Sequence, residues 1–192
     1  MISQLTARVR FGAVIHKVIK QYVSMENEHI ITNFIEQWQH YKEWNLEYQG
    51  AESWYSLNTT GILLLKKFYD SYLNQNLTPV VQENRLLYVK GHKTASAQPD
   101  LIATKPDNRV VIVDFKSGKE WTPEKVATEE QLTEYAVAVE YTLQETPPIA
   151  VCVCNLVVDT GEVHWIYGER AAAQIEEYKN REIDHLANFP TP

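Results

Sequence analysis

Only two cysteines stand in the 192 residues. No apolar run approaches the roughly 20 residues needed to span a bilayer. The N-terminus also lacks the basic, then apolar, then small-residue order of a secretory signal. These absences lead us to expect a reduced, intracellular chain with no membrane partner. Positive charge is scarce as well: 25 acidic residues outnumber 18 basic ones, for a formal net charge of −7. A protein that coats nucleic acid non-specifically would ordinarily be basic, so that class is disfavoured. A nuclease is not excluded, because its basic groove can be local and its catalytic site is itself acidic. No internal repeat, linker or low-complexity tract divides the chain, and its length suits one domain over 1–192 with a single sizeable core.

What is present is a run of helical patterns followed by strands. Gly12, Ile15, Ile19 and Val23 recur at helical spacing between Arg10 and Val23. Ile30, Phe34, Trp38 and Tyr41 make a second stripe. Asn58-Thr59-Thr60 reads as a cap before a third, carrying Ile62, Leu65, Tyr69, Tyr72 and Leu73. After Pro79 the pattern turns to strands: Glu83 to Val89, then Thr94 to Thr104, then Arg109 to Lys116, joined by turns at 90–93 and at "KPDN" (105–108). One long helix is expected between Thr122 and Leu143. Pro147-Pro148 ends it, and Ile149 to Val158 is apolar throughout, as in a strand covered on both faces. "DTG" turns into Glu162 to Tyr167, and Glu169 to Leu186 closes the chain as a helix. The expected fold class is α/β (α+β): a helical region over about 1–78, then a central mixed sheet flanked by helices over about 79–192.

The stretch "VVIVDFKSGK" (110–119) breaks the rule for a core strand. Strand residues alternate faces, so Val110, Ile112, Asp114 and Lys116 share one side. A surface ion pair where the strand leaves the core would explain the two charges. A second carboxylate upstream, in "QPDLIAT", suggests more. If residues 98–104 pair antiparallel with 109–116 through the "KPDN" turn, Asp100 comes near Asp114. Two adjacent carboxylates repel unless a proton or a divalent cation lies between them. With an ammonium facing the same spot, that set has what metal-assisted phosphodiester hydrolysis requires.

Pro99-Asp100, then Asp114-Phe115-Lys116, resembles the Pro-Asp…Asp/Glu-x-Lys (PD-(D/E)XK) nuclease superfamily, whose core is restriction-endonuclease-like. The closer likeness is to its RecB-like branch of helicase–nuclease domains and CRISPR-adaptation exonucleases. "FGAVIHKVI" is similar to that branch's N-terminal helix with a metal-binding histidine, here His16. "VDFKSGK" is similar to its core strand, and "QLTEY" to its Gln-x-x-x-Tyr helix, here Gln131 and Tyr135. The resemblance implies a metal-dependent deoxyribonuclease, expected to be an exonuclease, acting on DNA in recombination, repair or defence. His16, Asp100, Asp114 and the carbonyl of Phe115 would bind Mg²⁺ or Mn²⁺. Asp100, Asp114, Lys116, Gln131 and Tyr135 would form the catalytic set. One departure is plain: many RecB-like proteins hold an iron–sulfur cluster on four cysteines, and Cys152 and Cys154 are too few for one.

Each residue also has a plainer reading. A lone histidine on an apolar helix face is more often a core residue than a ligand. Gln131 can serve a capping box with Thr128, and Tyr135 can be core packing. Glu83 can be a solvated strand end, and Lys90, His92 and Lys93 a charged turn. The tryptophans can be core aromatics rather than base-stacking platforms, and Cys152 and Cys154 small core residues. At the level of the whole chain, two rivals remain. One is a catalytically silent nuclease-fold DNA-binding or scaffold subunit of a DNA-processing complex with other subunits. The other is a metal-binding or regulatory protein in which Asp114 and Lys116 are only an ion pair.

Overall fold

The computed structural model describes residues 6–24, 29–82, 84–90 and 93–187. Glu83 and His92, both weighed above, lie outside the described residues. The chain forms two compact units that interleave in sequence, one from 1–77, 115–120 and 154–165, the other from 78–114, 121–153 and 166–192. Among the described residues, five strands make one sheet in the order β1-β4-β5-β6-β7, and β2 and β3 pair in a separate two-stranded sheet. With the six helices described, this is the expected α+β architecture built on a central sheet. No helix among the described residues is long and apolar enough to cross a membrane.

The first unit contains helices α1 (Ala7–Val23), α2 (Ile30–Gln39) and α3 (Trp54–Leu73). The buried face of α1 carries Phe11, Val14, Ile15, Val18 and Ile19, the i, i+3, i+4, i+7, i+8 spacing of a helix laid on a core. Phe11 meets Phe34 and Trp38 edge-on, at 6.1 and 5.6 Å between ring centroids. Trp38 and Trp54 stack, and each indole N–H donates to the other residue's carbonyl, at 3.3 and 3.1 Å. Helix α3 starts earlier than expected. Ser53 and Ser56 form a reciprocal capping box, so Asn58-Thr59-Thr60 lies inside the helix rather than before it. The Ser53 hydroxyl satisfies an N-terminal N–H, and the aromatic pair Trp38–Trp54 fixes the helix start there.

The second unit begins with β1 (Thr78–Gln82), a strand the sequence reading missed because Pro79 sits within it. Proline is tolerated there because β1 is an edge of the sheet, where one row of N–H groups has no ladder partner. Next come β2 (Leu86–Lys90), β3 (Lys93–Ala97) and β4 (Leu101–Thr104). The single strand expected over 94–104 is therefore two, broken at Gln98-Pro99-Asp100. Proline removes a ladder donor and holds the preceding residue extended. Strand β3 turns back on β2, while β4 pairs antiparallel with β1 and with β5 (Val110–Gly118).

The helix expected over 122–143 is also two, α4 (Pro123–Thr128) and α5 (Glu130–Leu143), separated at Glu129, whose ψ of 116° is extended. Arg170, fully buried, explains the break. Its guanidinium donates to the carbonyls of Val126 at 2.6 Å and Glu129 at 3.1 Å and to the Thr133 hydroxyl at 2.8 Å. These carbonyls are therefore satisfied from outside the helix. Burial lowers the Arg170 pKa, partly opposed by Glu129. Strands β6 (Ile149–Val157) and β7 (Glu162–Arg170) and helix α6 (Ala172–Ala187) complete the chain. The core of this unit joins Ile102, Ile112, Leu132, Tyr135, Ala136, Val139, Val151 and Val153.

Candidate active site

Strand β5 carries the puzzle of the sequence, and its pairing with β4 resolves it. The two strands are antiparallel, with Leu101 opposite Val113 and Ile102 opposite Ile112. The ladder ends there, and Asp100 is the bend residue just before β4. Alternation places Asp114 on the face of Ile112. Ile112 packs in the cluster that holds Leu132, Tyr135 and Val139 of α5. Asp114 therefore lies on the side of the sheet that α5 covers. Asp114 is 2% exposed, and Asp100 is half-buried.

Tyr135 reports on them. Burial raises its phenol pKa above the usual tyrosine range, and the charges of Asp114, Asp100 and Glu134 raise it further. Both aspartates thus lie within electrostatic reach of this core phenol, and its hydroxyl stays protonated. Glu134, beside it on α5, accepts from the Tyr88 hydroxyl at 2.6 Å.

Phe115 points the other way. Its ring is fully buried and meets Phe68 edge-on at 5.9 Å, so only its backbone carbonyl is available as a ligand. Lys116 follows, half-buried, on the face of Asp114 by alternation. Gln131 is exposed one turn before Tyr135, and i, i+4 residues share a helix face. It is not part of a capping box. The α5 N-cap is Glu129, without a side-chain cap bond, and the Thr128 hydroxyl instead donates back to the Glu124 carbonyl at 3.0 Å.

His16 is half-buried rather than inside the core. It lines an open groove of about 420 Å³ with Arg8, Gly12 and Ser117. Gly12 permits that arrangement, since a Cβ there would come within 2.8 Å of the Ser117 hydroxyl. Cys152 and Cys154 are buried free thiols, and burial pushes the Cys152 thiol up to about 12. They are core residues, as expected. Of the tryptophans, Trp38 is fully buried while Trp44 is half exposed.

Sequence reasoning missed Asn155. It is fully buried in β6, and its side-chain amide donates to the carbonyls of Lys119 at 3.2 Å and Lys116 at 3.5 Å. The signal was one polar residue in an otherwise apolar run of ten, 149–158.

Can these residues hold a divalent ion? Among the described residues no group of three or more His, Cys, Asp or Glu side chains is close-set enough to hold a metal unaided. Two carboxylates acting on one phenol nevertheless suit a hard cation. Mg²⁺ binds through one or two carboxylates, keeping several waters or taking substrate phosphate. The donor set fits that mode and not a closed, all-protein cage.

Three comparisons bear on the arrangement. A family profile described as the PD-(D/E)XK nuclease superfamily matches residues 1–191. No curated protein matches the chain in sequence. The solved structure of a candidate exonuclease from Eubacterium rectale matches with a TM-score of 0.52 at 10% identity, over 92% of this chain. This chain spans 66% of that protein, just under two thirds of its length, and the likeness is one of fold. A second solved structure, SSO0001, is similar over 93% of this chain and 75% of its own at 11% identity, but its TM-score of 0.39 carries no argument.

Proposed function

The chain belongs to the PD-(D/E)XK nuclease superfamily, and from that membership we propose that it is a metal-dependent deoxyribonuclease of the RecB-like type. The observation that supports the reading is that β4 pairs antiparallel with β5 up to Leu101 opposite Val113, with Asp100 and Asp114 the next residue on each segment and both acting on Tyr135, and with Lys116 two residues beyond Asp114. Asp100, Asp114 and the Phe115 carbonyl would hold Mg²⁺ or Mn²⁺. When bound, such an ion lowers the pKa of a water and offsets charge on the scissile phosphate.

The other groups act through their own chemistry. The Lys116 ammonium orients the attacking water by donating to it, or offsets the charge that builds on the phosphate oxygens. Tyr135, held protonated, donates a hydrogen bond and cannot serve as a base near neutral pH. Gln131, exposed on the same helix face, meets the substrate strand through its amide. His16 is kept as a further metal ligand on its motif. An imidazole favours Mn²⁺ over Mg²⁺, because nitrogen suits the softer ion. Direct attack by water needs no covalent enzyme intermediate. An exonuclease is the narrower proposal, on the resemblance to the RecB-like branch. Cleavage of linear DNA in Mn²⁺, lost in Asp114→Asn, would support the reading. Binding of DNA in Ca²⁺ without cleavage in any metal would favour the silent DNA-binding subunit instead.

A further inference from the structure

We infer that Asn155 is a positioning residue for Lys116, acting through the backbone of β5 and resting on the nuclease reading above. A strand in a regular ladder uses its own backbone groups to bind its neighbour. At the end of β5 this breaks down. Gly118, the last residue of β5, adopts a φ of +137°, a conformation that L side chains rarely take, and the chain bends at Lys119. The carbonyls around the bend are met in an unusual way. Gly118 accepts from the Val158 backbone N–H at 3.1 Å, and Lys119 and Lys116 accept from the Asn155 side-chain amide. One buried amide therefore reaches both sides of Gly118, to Lys116 two residues before it and to Lys119 just after it.

Burial makes this choice informative. Asn155 is fully buried, and an amide removed from water costs about 1–3 kcal/mol unless it is hydrogen-bonded. Valine, like Val153 and Val157 two positions away on either side, would fill the space without that risk. Alternation sets Asn155 on the face of β6 shared with Val151 and Val153, whose side chains belong to the cluster with Tyr135 and Ile112. Asn155 thus fixes the plane of the peptide that leaves Lys116, and with it the direction in which the ammonium emerges. Asn155 itself has no part in holding substrate.

The test compares Asn155→Asp, which keeps the shape but loses both N–H donors, with Asn155→Leu, which replaces the amide by an apolar side chain of similar size. Folding is checked by circular dichroism, and the isosteric Asp variant carries the test if Leu does not fold. The first readout needs no activity. In the ¹³C spectrum of reductively methylated protein, the Lys116 resonance, assigned with Lys116→Arg, should shift toward that of a free lysine in the folded variants while the helix lysines stay in place. In cleavage assays kcat should fall at least tenfold, with KM and DNA affinity in Ca²⁺ within twofold of the parent. An unmoved Lys116 resonance overturns the inference, and so does parental kcat in a parent that cleaves DNA. A parent that cuts no DNA refutes the nuclease reading, while the resonance still decides whether Asn155 sets Lys116.

Discussion

Leu101 faces Val113 in the last ladder pair recorded before β4 gives way to Pro99-Asp100. Asp100 and Asp114 are the next residue on each segment, and Tyr135 feels both charges. A strand pairing fixed by ordinary core residues thus brings two carboxylates within electrostatic reach of one phenol.

Removing one of the two charges should separate stability from function. Asp114 is buried beside a like charge, which disfavours the folded state. Asp114→Asn keeps the shape and relieves that repulsion. Its Tm should match or exceed the parent's while cleavage falls at least a hundredfold. A variant less stable by several degrees would show that Asp114 supports the fold instead.

The helical unit offers a test of packing. Gly61 lies within α3, and a Cβ there would come within 2.1 Å of the Phe34 ring. Helix propensity alone predicts that Gly61→Ala gains about 1 kcal/mol, whereas overpacking a core costs about 1–3 kcal/mol. The clash is with a rigid aromatic ring, so we expect net destabilisation in urea titration. Phe34→Leu in the same chain should recover part of the loss, because the two residues are coupled.

Alkaline stability follows from the buried phenols. Burial, aided by Tyr22, raises the Tyr72 pKa to about 12. A group whose folded pKa is raised contributes its full stability below its unfolded pKa of about 10 and loses it as pH rises through the folded value. Unfolding free energy should therefore fall between pH 10 and 12. Tyr72→Phe should make that slope shallower in denaturant titrations at pH 9 to 12. A slope identical to the parent's would mean that Tyr72 titrates as freely as an unfolded tyrosine.

Much of this was legible in the residues, and the failures have physical causes. The antiparallel pairing of β4 with β5 could be read from sequence because the turn "KPDN" and the alternation of β5 leave one register that buries the right faces. His16, Gln131 and Tyr135 rested on motif resemblance. Spacing alone could not tell a capping glutamine from an exposed one. The start of α3 and the break at Glu129 were missed because each depends on a distant partner: Trp38 for one, Arg170 for the other. β1 was missed because an edge strand tolerates the proline that would exclude a central one. Asn155 was passed over because an apolar run reads as uniform, and only the bend after Gly118 gives its amide a purpose.

The metal preference tests His16. Carboxylate and carbonyl oxygens alone accept Mg²⁺ readily, and an added imidazole tilts a site toward Mn²⁺. Cleavage should be faster in Mn²⁺ than in Mg²⁺, and His16→Ala should narrow that ratio several-fold. An unchanged ratio would return His16 to a place in the groove with Arg8 and Ser117 and no part in metal binding.

The most direct measurement incubates the purified protein with linear and circular, single- and double-stranded DNA in Mn²⁺, Mg²⁺, Ca²⁺ or EDTA, beside Asp114→Asn and Lys116→Ala. The account predicts degradation of linear DNA in Mn²⁺ and Mg²⁺, none in EDTA, and loss of at least a hundredfold in both variants. Cleavage that survives in folded Asp114→Asn or Lys116→Ala, or no cleavage of any DNA by the parent, would contradict it.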